Sequence, residues 1–584
     1  MTAISRSLDA CRIAKVDLRP DSTAIGGARL LLVAANTRID NGAELAAACG
    51  ISPRANLEEL LAAGWQRWGT GLAERLRGPF AFALLDSNAG LVYVARDHFG
   101  LAPLFISETN QFLWLGLTSQ SLRAVMDVPP PDDHVMLADF VAGSYLERAR
   151  TFFIGIERFP AAHWAVYRQG EKSRTQFWSL SDIAAQRDPV APVERFRELL
   201  DKSVSACVQS HSTTLMLSGG LDSSAIAASA SQLDGAPLHA LSLTYRNTPH
   251  WNDDRHLSAV AAMTGLEPVE VAGDVHDPFQ DMDFWLRAVD GPHLPRGHSV
   301  SFQLLKMAQA MGDHVVLSGH GGDEVVSYGF GRLNELAKLG RWWQLWRETS
   351  ASSQLYGDDR IALFRRYLSH KRLLRPLIRR LGRNVGGQMP IQRRFLSEDA
   401  ARELPADRYD VRPAAGRLDH DERMLQEEAL KSALQPGSLE VFALCSRAVG
   451  VETRLPFYDV DLVELSVSLP SEWKLREGLS RYVLRAAYSG ALPEVTLARR
   501  DKFDFTAAFI AGLVKQREKV LDLTAPEMAD RWDLVSRESL TAARESLYRN
   551  GTSIERVDAF FLWRVAILGM WADISRAPLD NSTP

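Results

Sequence analysis

The sequence predicts an α/β protein of at least two domains, the first rich in strands and the second built on a parallel sheet that gives way to helices. Three patterns lead there. Up to about Leu180 the chain holds short apolar runs bounded by turn formers. Between Thr213 and Leu317 strand-like and helix-like runs alternate, as they do where parallel strands are joined by crossover helices. From about Arg332 onward the pattern is mostly helical. With 584 residues, the chain is too long for one hydrophobic core.

In the first region the apolar runs are Leu30 to Ala34, Phe80 to Leu85 and Leu91 to Ala95. Asp86-Ser87-Asn88-Ala89-Gly90 separates the last two, which therefore read as a β-hairpin. Polar residues Ser181 to Gln186, followed by Pro189 and Pro192, read as a linker and place the domains at 1–185 and 190–584. In the second region Thr213 to Leu217, Leu238 to Tyr245, Glu267 to Val271 and His314 to Leu317 are strand candidates. Leu221 to Leu233, dense in alanine, and Leu257 to Thr264 are the helices between them.

The chemistry is carried by Ser218-Gly219-Gly220-Leu221-Asp222-Ser223-Ser224, which leaves a strand and opens a helix. Two glycines allow close backbone approach. The helix N-terminus and free loop amides direct partial positive charge at an anion. Ser218, Ser223 and Ser224 add hydroxyls, so the segment is a phosphate cradle. Asp222 belongs beside phosphate only if a cation lies between them, which is how proteins hold Mg²⁺. The loop lacks the lysine of the Walker-type nucleotide loop, which disfavours γ-phosphoryl transfer by that machinery. A lone Gly-Gly pair with a serine cap would be an ordinary turn; seven residues in this order at a strand-to-helix junction are not.

Those seven residues resemble the signature of the ATP pyrophosphatases, and most closely the asparagine synthetase branch. Three further blocks occur in that family's order: Leu317-Ser318-Gly319-His320-Gly321-Gly322-Asp323-Glu324, Gly450 to Asp459, and Arg499-Arg500-Asp501-Lys502-Phe503. The resemblance implies that a carboxylate attacks the α-phosphorus of ATP, that pyrophosphate leaves, and that an amine then displaces AMP. It implies Mg²⁺ on Asp222 and Asp323, and Lys502 stabilising charge in the transition states. Leu217, Ser218, Gly219, Gly220, Ser223, Leu243, Ser318 and Gly319 would hold the nucleotide. The N-terminal region resembles the family's glutaminase domain, an Ntn-type sandwich, through Arg38-Ile39-Asp40-Asn41, Leu76 to Phe82 and Ala95 to Leu104. The C-terminal region would be the synthetase domain on its parallel sheet.

Two positions depart from asparagine synthetase. Active glutaminase domains carry a cysteine immediately after the initiator Met, whereas this chain has Thr2, and Cys11 is the nearest thiol. The domain is therefore expected to release no ammonia from glutamine. Position 320, usually Glu in asparagine synthetases, is His320; a histidine there is typical of lasso peptide cyclases. Imidazole, with a reference pKa of about 6.5, suits removal of a proton from an attacking amine near neutral pH. By analogy with the tyrosine–glutamate dyad of β-lactam synthetase, Glu452 would orient the ring. An isolated loop histidine is ordinarily bonded to backbone; at the family's base position it reads as catalytic.

The leading expectation is a macrolactam-forming peptide synthetase. It would adenylate an Asp or Glu side chain of a precursor peptide and close the ring with the peptide's N-terminal amine, partnered by a leader-binding protein and a leader protease. The alternatives are an ammonia-dependent asparagine synthetase or other amidating relative, and a non-catalytic ATP-binding scaffold. Net charge −5 points away from nucleic acid. The four cysteines are scattered without zinc or redox spacing. No apolar stretch is long enough to span a bilayer, and the start lacks a signal peptide's apolar core, so a cytoplasmic location is expected. The arginine-rich segment from Arg360 to Arg394 reads as amphipathic helix or as a docking surface.

Overall fold

The computed structural model describes residues 3–8, 11–17, 28–34, 36–109, 111–168, 171–208, 212–233, 238–245, 254–273, 277–292, 298–356, 359–368, 392–409, 419–500 and 506–576. Most of the arginine-rich segment lies outside the described residues; within it, Arg360–Leu368 is a helix.

The hairpin read from the sequence is Ala81–Asp86 against Leu91–Arg96, antiparallel with Ala81 opposite Arg96. Gly90, at φ +62°, supplies the left-handed residue of its turn. The hairpin is the centre of a five-stranded sheet that also holds Ala28–Val33, His163–Arg168 and Glu171–Gln176. Both faces of this sheet are covered, which explains why its central strands read as continuous apolar runs. Ala81, Ala83 and Leu85 point to a core shared with a second five-stranded sheet, through Val16, Ile106 and Leu115. Phe80, Phe82 and Leu84 point the other way, onto the helices Gly42–Cys49 and Leu57–Trp68. Asn56 closes the second helix with a capping box to Glu59.

The second region holds a sheet of five parallel strands in the order Pro268–Ala272, Leu238–Thr244, Thr213–Met216, Val315–Leu317, Glu452–Arg454. Thr213–Met216 is central. The chain winds outward from it to Leu238–Thr244 and Pro268–Ala272, then returns to pair Val315–Leu317 on its other side. The winding direction thus reverses between Thr213–Met216 and Val315–Leu317. Loops leaving the carboxyl ends of two such strands splay apart and open a crevice, where parallel-sheet proteins bind their ligands.

The C-terminal helices pack around Arg556–Arg576, a 21-residue helix whose Phe561, Trp563, Ile567 and Trp571 are buried. That core also takes in Leu137 and Phe152 of the N-terminal region, so the two regions share apolar packing. No helix among the described residues is long and apolar enough to cross a membrane.

Candidate active site

Both loops at the switch point are shaped by glycine. After Thr213–Met216 the chain passes through Leu217, whose N–H donates to Leu241 O at 2.8 Å, and turns at Gly219, where φ is +69°. A Cβ on Gly219 would lie 2.9 Å from Leu257 N, so the loop packs directly against the neighbouring helix. Helix Leu221–Ala230 then begins with Gly220 as its cap and no side chain closing its first turn. Its opening amides therefore face the crevice. Ser223 Oγ accepts from Ser218 N at 3.2 Å and lies 3.1 Å from Ser218 Oγ, which fixes the loop as a tight ring.

The second loop lies on the first. A Cβ on Gly322 would sit 2.5 Å from Asp222 Cγ, and one on Gly319 would sit 3.1 Å from Ser223 N. Side chains at these two positions would wedge the loops apart. Gly321, at φ +95°, is packed as tightly against Tyr458: a Cβ on it would lie 2.5 Å from Tyr458 Cε2. The turn thereby carries His320 past the end of the sheet. Its N–H donates to Ser318 Oγ at 3.3 Å, and its ring lies 4.9 Å from the Phe442 ring and 6.3 Å from that of Tyr458.

Between the loops, Asp222 and Asp323 converge on one atom. Arg481 Nη1 lies 2.6 Å from both Asp222 oxygens and 3.0 Å from Asp323 Oδ1. Burial works against the Arg481 charge, but the two carboxylates outweigh it and hold its pKa above the ordinary value. Tyr328 Oη donates to Asp323 Oδ1 at 2.8 Å, and its ring lies 5.0 Å from the Arg481 guanidinium. Two carboxylates converging on one cationic nitrogen are suited to share a divalent cation together with phosphate oxygens, so the pair fits the Mg²⁺ role. Among the described residues no cluster of three or more His, Cys, Asp or Glu forms a metal cage of its own.

The cleft above these groups has a volume of about 510 Å³. Leu217, Ser218, Gly220, Asp222, Ser223, Leu243, Ser318, Gly319, His320 and Asp323 all line it. Gly219 sits behind the wall, its carbonyl accepting from Arg499 Nη1 at 3.2 Å. Tyr328, Phe330, Phe442 and Arg481, which nothing in the sequence marks, also line the cleft, as do Arg499 and Arg500 of the fourth sequence block. Lys502 and Thr2 lie outside the described residues.

Glu452 is held by two arginines. Arg454 grips both its oxygens at 2.8 Å, Nε on Oε1 and Nη2 on Oε2, and Arg38 Nη1 reaches Oε1 at 3.3 Å. It lines a small cavity on the far side of Phe442 from the cleft, together with Asn36 and Gly78 of the N-terminal region. Strand pairing with Val315–Leu317 directs the side chain there, and the bidentate arginine fork holds it. Arg38 also bonds Asp40 at 2.5 Å and reaches Cys207 Sγ at 3.6 Å. Burial raises that thiol to about 11, so Cys207 is an inert neutral group.

A family description, asparagine synthase, matches residues 195–573, more than half of the chain. The chain belongs to the asparagine synthase family. Residues 44–178 match the glutamine amidotransferase domain. Three asparagine synthetases of Bacillus subtilis, all described as glutamine-hydrolysing, are among its relatives. Asparagine synthetase 2 is 28% identical over 44% of this chain and 37% of its own length. Asparagine synthetases 3 and 1 are 24% and 23% identical over 76% of this chain and 69% and 70% of theirs. The chain thus spans well under half of the first relative and about seven-tenths of the other two.

Proposed function

We propose that this member of the family closes a lactam ring in a precursor peptide. An Asp or Glu side chain of the peptide is adenylated in the cleft, and the peptide's own N-terminal amine then displaces AMP. The observation that carries the reading is the position of His320. It lines the cleft two residues beyond Ser318 and three before Asp323, with its ring against Phe442, where a base can meet a nitrogen approaching the adenylate. A neutral imidazole takes the proton as the amine attacks the acyl carbon. Bound Mg²⁺ would neutralise the departing pyrophosphate, with Asp222 and Asp323 as its protein ligands. Amides at the start of Leu221–Ala230 bind the phosphates, and Leu217 and Leu243 flank the adenosine.

A leader-binding protein and a leader protease are the partners this reading requires.

The test is incubation of the protein with ATP, Mg²⁺ and linear precursor peptides, read by mass spectrometry. Loss of one water from the peptide with equimolar AMP is the expected result. Asparagine formed from aspartate and ammonia, with no peptide dehydrated, would replace this reading with that of an ammonia-dependent asparagine synthetase. Failure to release AMP and pyrophosphate with any carboxylate would leave a nucleotide-binding scaffold.

A further inference from the structure

A second cavity, of about 250 Å³, lies between the two regions and away from the nucleotide cleft. Its lining is cationic: Arg96, Arg148, Arg158 and Lys431 contribute to the wall, and no Asp or Glu among the described residues does. Arg96 and Arg158 pair with the buried carboxylate Glu440, at 3.4 and 2.7 Å, and buried Asp97 also acts on Arg96, so these two inner arginines have carboxylates behind the wall. Lys431 is tied to Glu427 at 2.9 Å. Arg148, at the mouth, makes no ion pair or hydrogen bond with any described residue. Deeper in, His98 is 5% exposed, and neither of its ring nitrogens has a hydrogen-bond partner among the described residues. Burial among Phe177, Trp178 and Phe99 pushes its pKa down to about 3, so it is a neutral imidazole with a donor and an acceptor to offer.

Buried polar side chains in proteins are ordinarily satisfied, so the unpartnered buried imidazole of His98 facing this cavity points to a missing partner, and Arg148, exposed at the mouth, favours an anionic one. We propose that this cavity is a binding site for a small carboxylate with a flat apolar body. Arg148 takes the carboxylate in its fork, His98 makes the inner hydrogen bond, and Trp178 and Phe99 supply the apolar wall. The volume falls below that of drug-sized pockets and suits a ligand of benzoate dimensions. Tyr458 forms the inner wall, its hydroxyl donating to Gln435 Oε1 at 2.9 Å, and its ring packs on Gly321. A ligand here is one side chain away from the turn that carries His320.

The experiment is calorimetric titration of the full chain with benzoate, with saturating AMP and Mg²⁺ filling the nucleotide cleft. Saturable binding near or below about 1 mM is expected. Arg148→Glu should weaken it at least about tenfold, the worth of one charge-assisted hydrogen bond. Arg148→Lys should recover part of the affinity, and Arg402→Glu on a remote exposed helix should leave it unchanged. No saturable binding to the wild-type protein would overturn the proposal, as would Arg148→Glu binding benzoate as well as wild type does.

Discussion

Two groups of charges meet across the molecule, and they are built on opposite plans. In the cleft, Asp222 and Asp323 come from different loops and share one nitrogen of Arg481. At the joint with the N-terminal region, Glu452 has a separate N–H from Arg454 for each oxygen, and Arg38 adds a third contact. A carboxylate held bidentate by a rigid fork has little reason to take another partner. Asp222 and Asp323 instead converge from two loops on one cationic nitrogen, the arrangement a divalent cation shared between them would need. The first group is arranged for exchange and the second for closure, although the sequence marks Asp222, Asp323 and Glu452 alike as site residues.

The contrast breaks most readily at the cleft. Asp222→Asn keeps the side chain's shape and removes the charge. If Asp222 holds the cation that neutralises pyrophosphate, ATP–pyrophosphate exchange should fall at least about 10³-fold, in line with the several kcal/mol a bound divalent ion contributes to such a transition state. Folding should survive, because Asn is compatible with the first turn of Leu221–Ala230. Exchange within threefold of wild type would remove Asp222 from the chemistry.

His320→Ala separates the two half-reactions. Amide formation should drop by about 10² to 10⁴, the usual worth of a positioned base, while exchange stays within a few-fold. Equal loss of both steps would make His320 a binding or structural residue. Glu452→Gln sharpens the same comparison. With its carboxylate committed to Arg454 and Arg38, this change should leave the ratio of the two half-reactions unaltered. Selective loss of amide formation would restore the His320–Glu452 dyad that the sequence suggests.

Why the loops were legible and the joint was not is a matter of range. The strands at Thr213–Met216, Leu238–Thr244 and Val315–Leu317 announce themselves as short β-prone runs alternating with helix-like ones. The seven-residue cradle is local, and its glycines and hydroxyls do their work within one turn. The edge strand Glu452–Arg454 has three residues, two of them charged, and no apolar periodicity to betray it. Its register sends Glu452 toward Arg38, more than four hundred residues away in sequence. Arg481 reaches Asp222 across a gap of similar kind, from a left-handed position at φ 55° that nothing in Ser480-Arg481-Tyr482 marks. Tyr328 and Phe330, stacked 5.9 Å apart in the cleft wall, look in sequence like any aromatic pair.

The joint should answer in stability where the cleft answers in rate. Arg38→Met takes the arginine partner from Asp40 and one of two from Glu452, whose side chains are 20% and 28% exposed. Loss of about 2 kcal/mol in urea unfolding is expected, between the worth of a surface pair and that of a fully buried one. Exchange should change less than threefold. A stability loss below about 0.5 kcal/mol would show the cluster to be surface electrostatics only.

The smallest effect expected is also the most specific to this joint. Asp459 lines the same small cavity and caps helix Val460–Ser468, its carboxylate accepting from Leu462 N at 3.0 Å. Burial raises its pKa from 3.8 to about 6; the Leu462 amide opposes the shift, and Asp461 and Asp40 add to it. A carboxyl whose folded pKa lies above its unfolded one binds its proton more tightly in the native state. Its contribution to stability is therefore complete below about pH 4 and is lost as pH rises through about 6. Asp459→Asn removes the charge and keeps a good cap. The variant should match wild type near pH 4 and exceed it by about 1 kcal/mol near pH 7, a gain discounted for the group's partial exposure. The sign of the difference is what matters. A variant less stable than wild type at pH 7 would mean that the joint holds Asp459 as a needed anion, and would make that surface a charge-balanced one throughout.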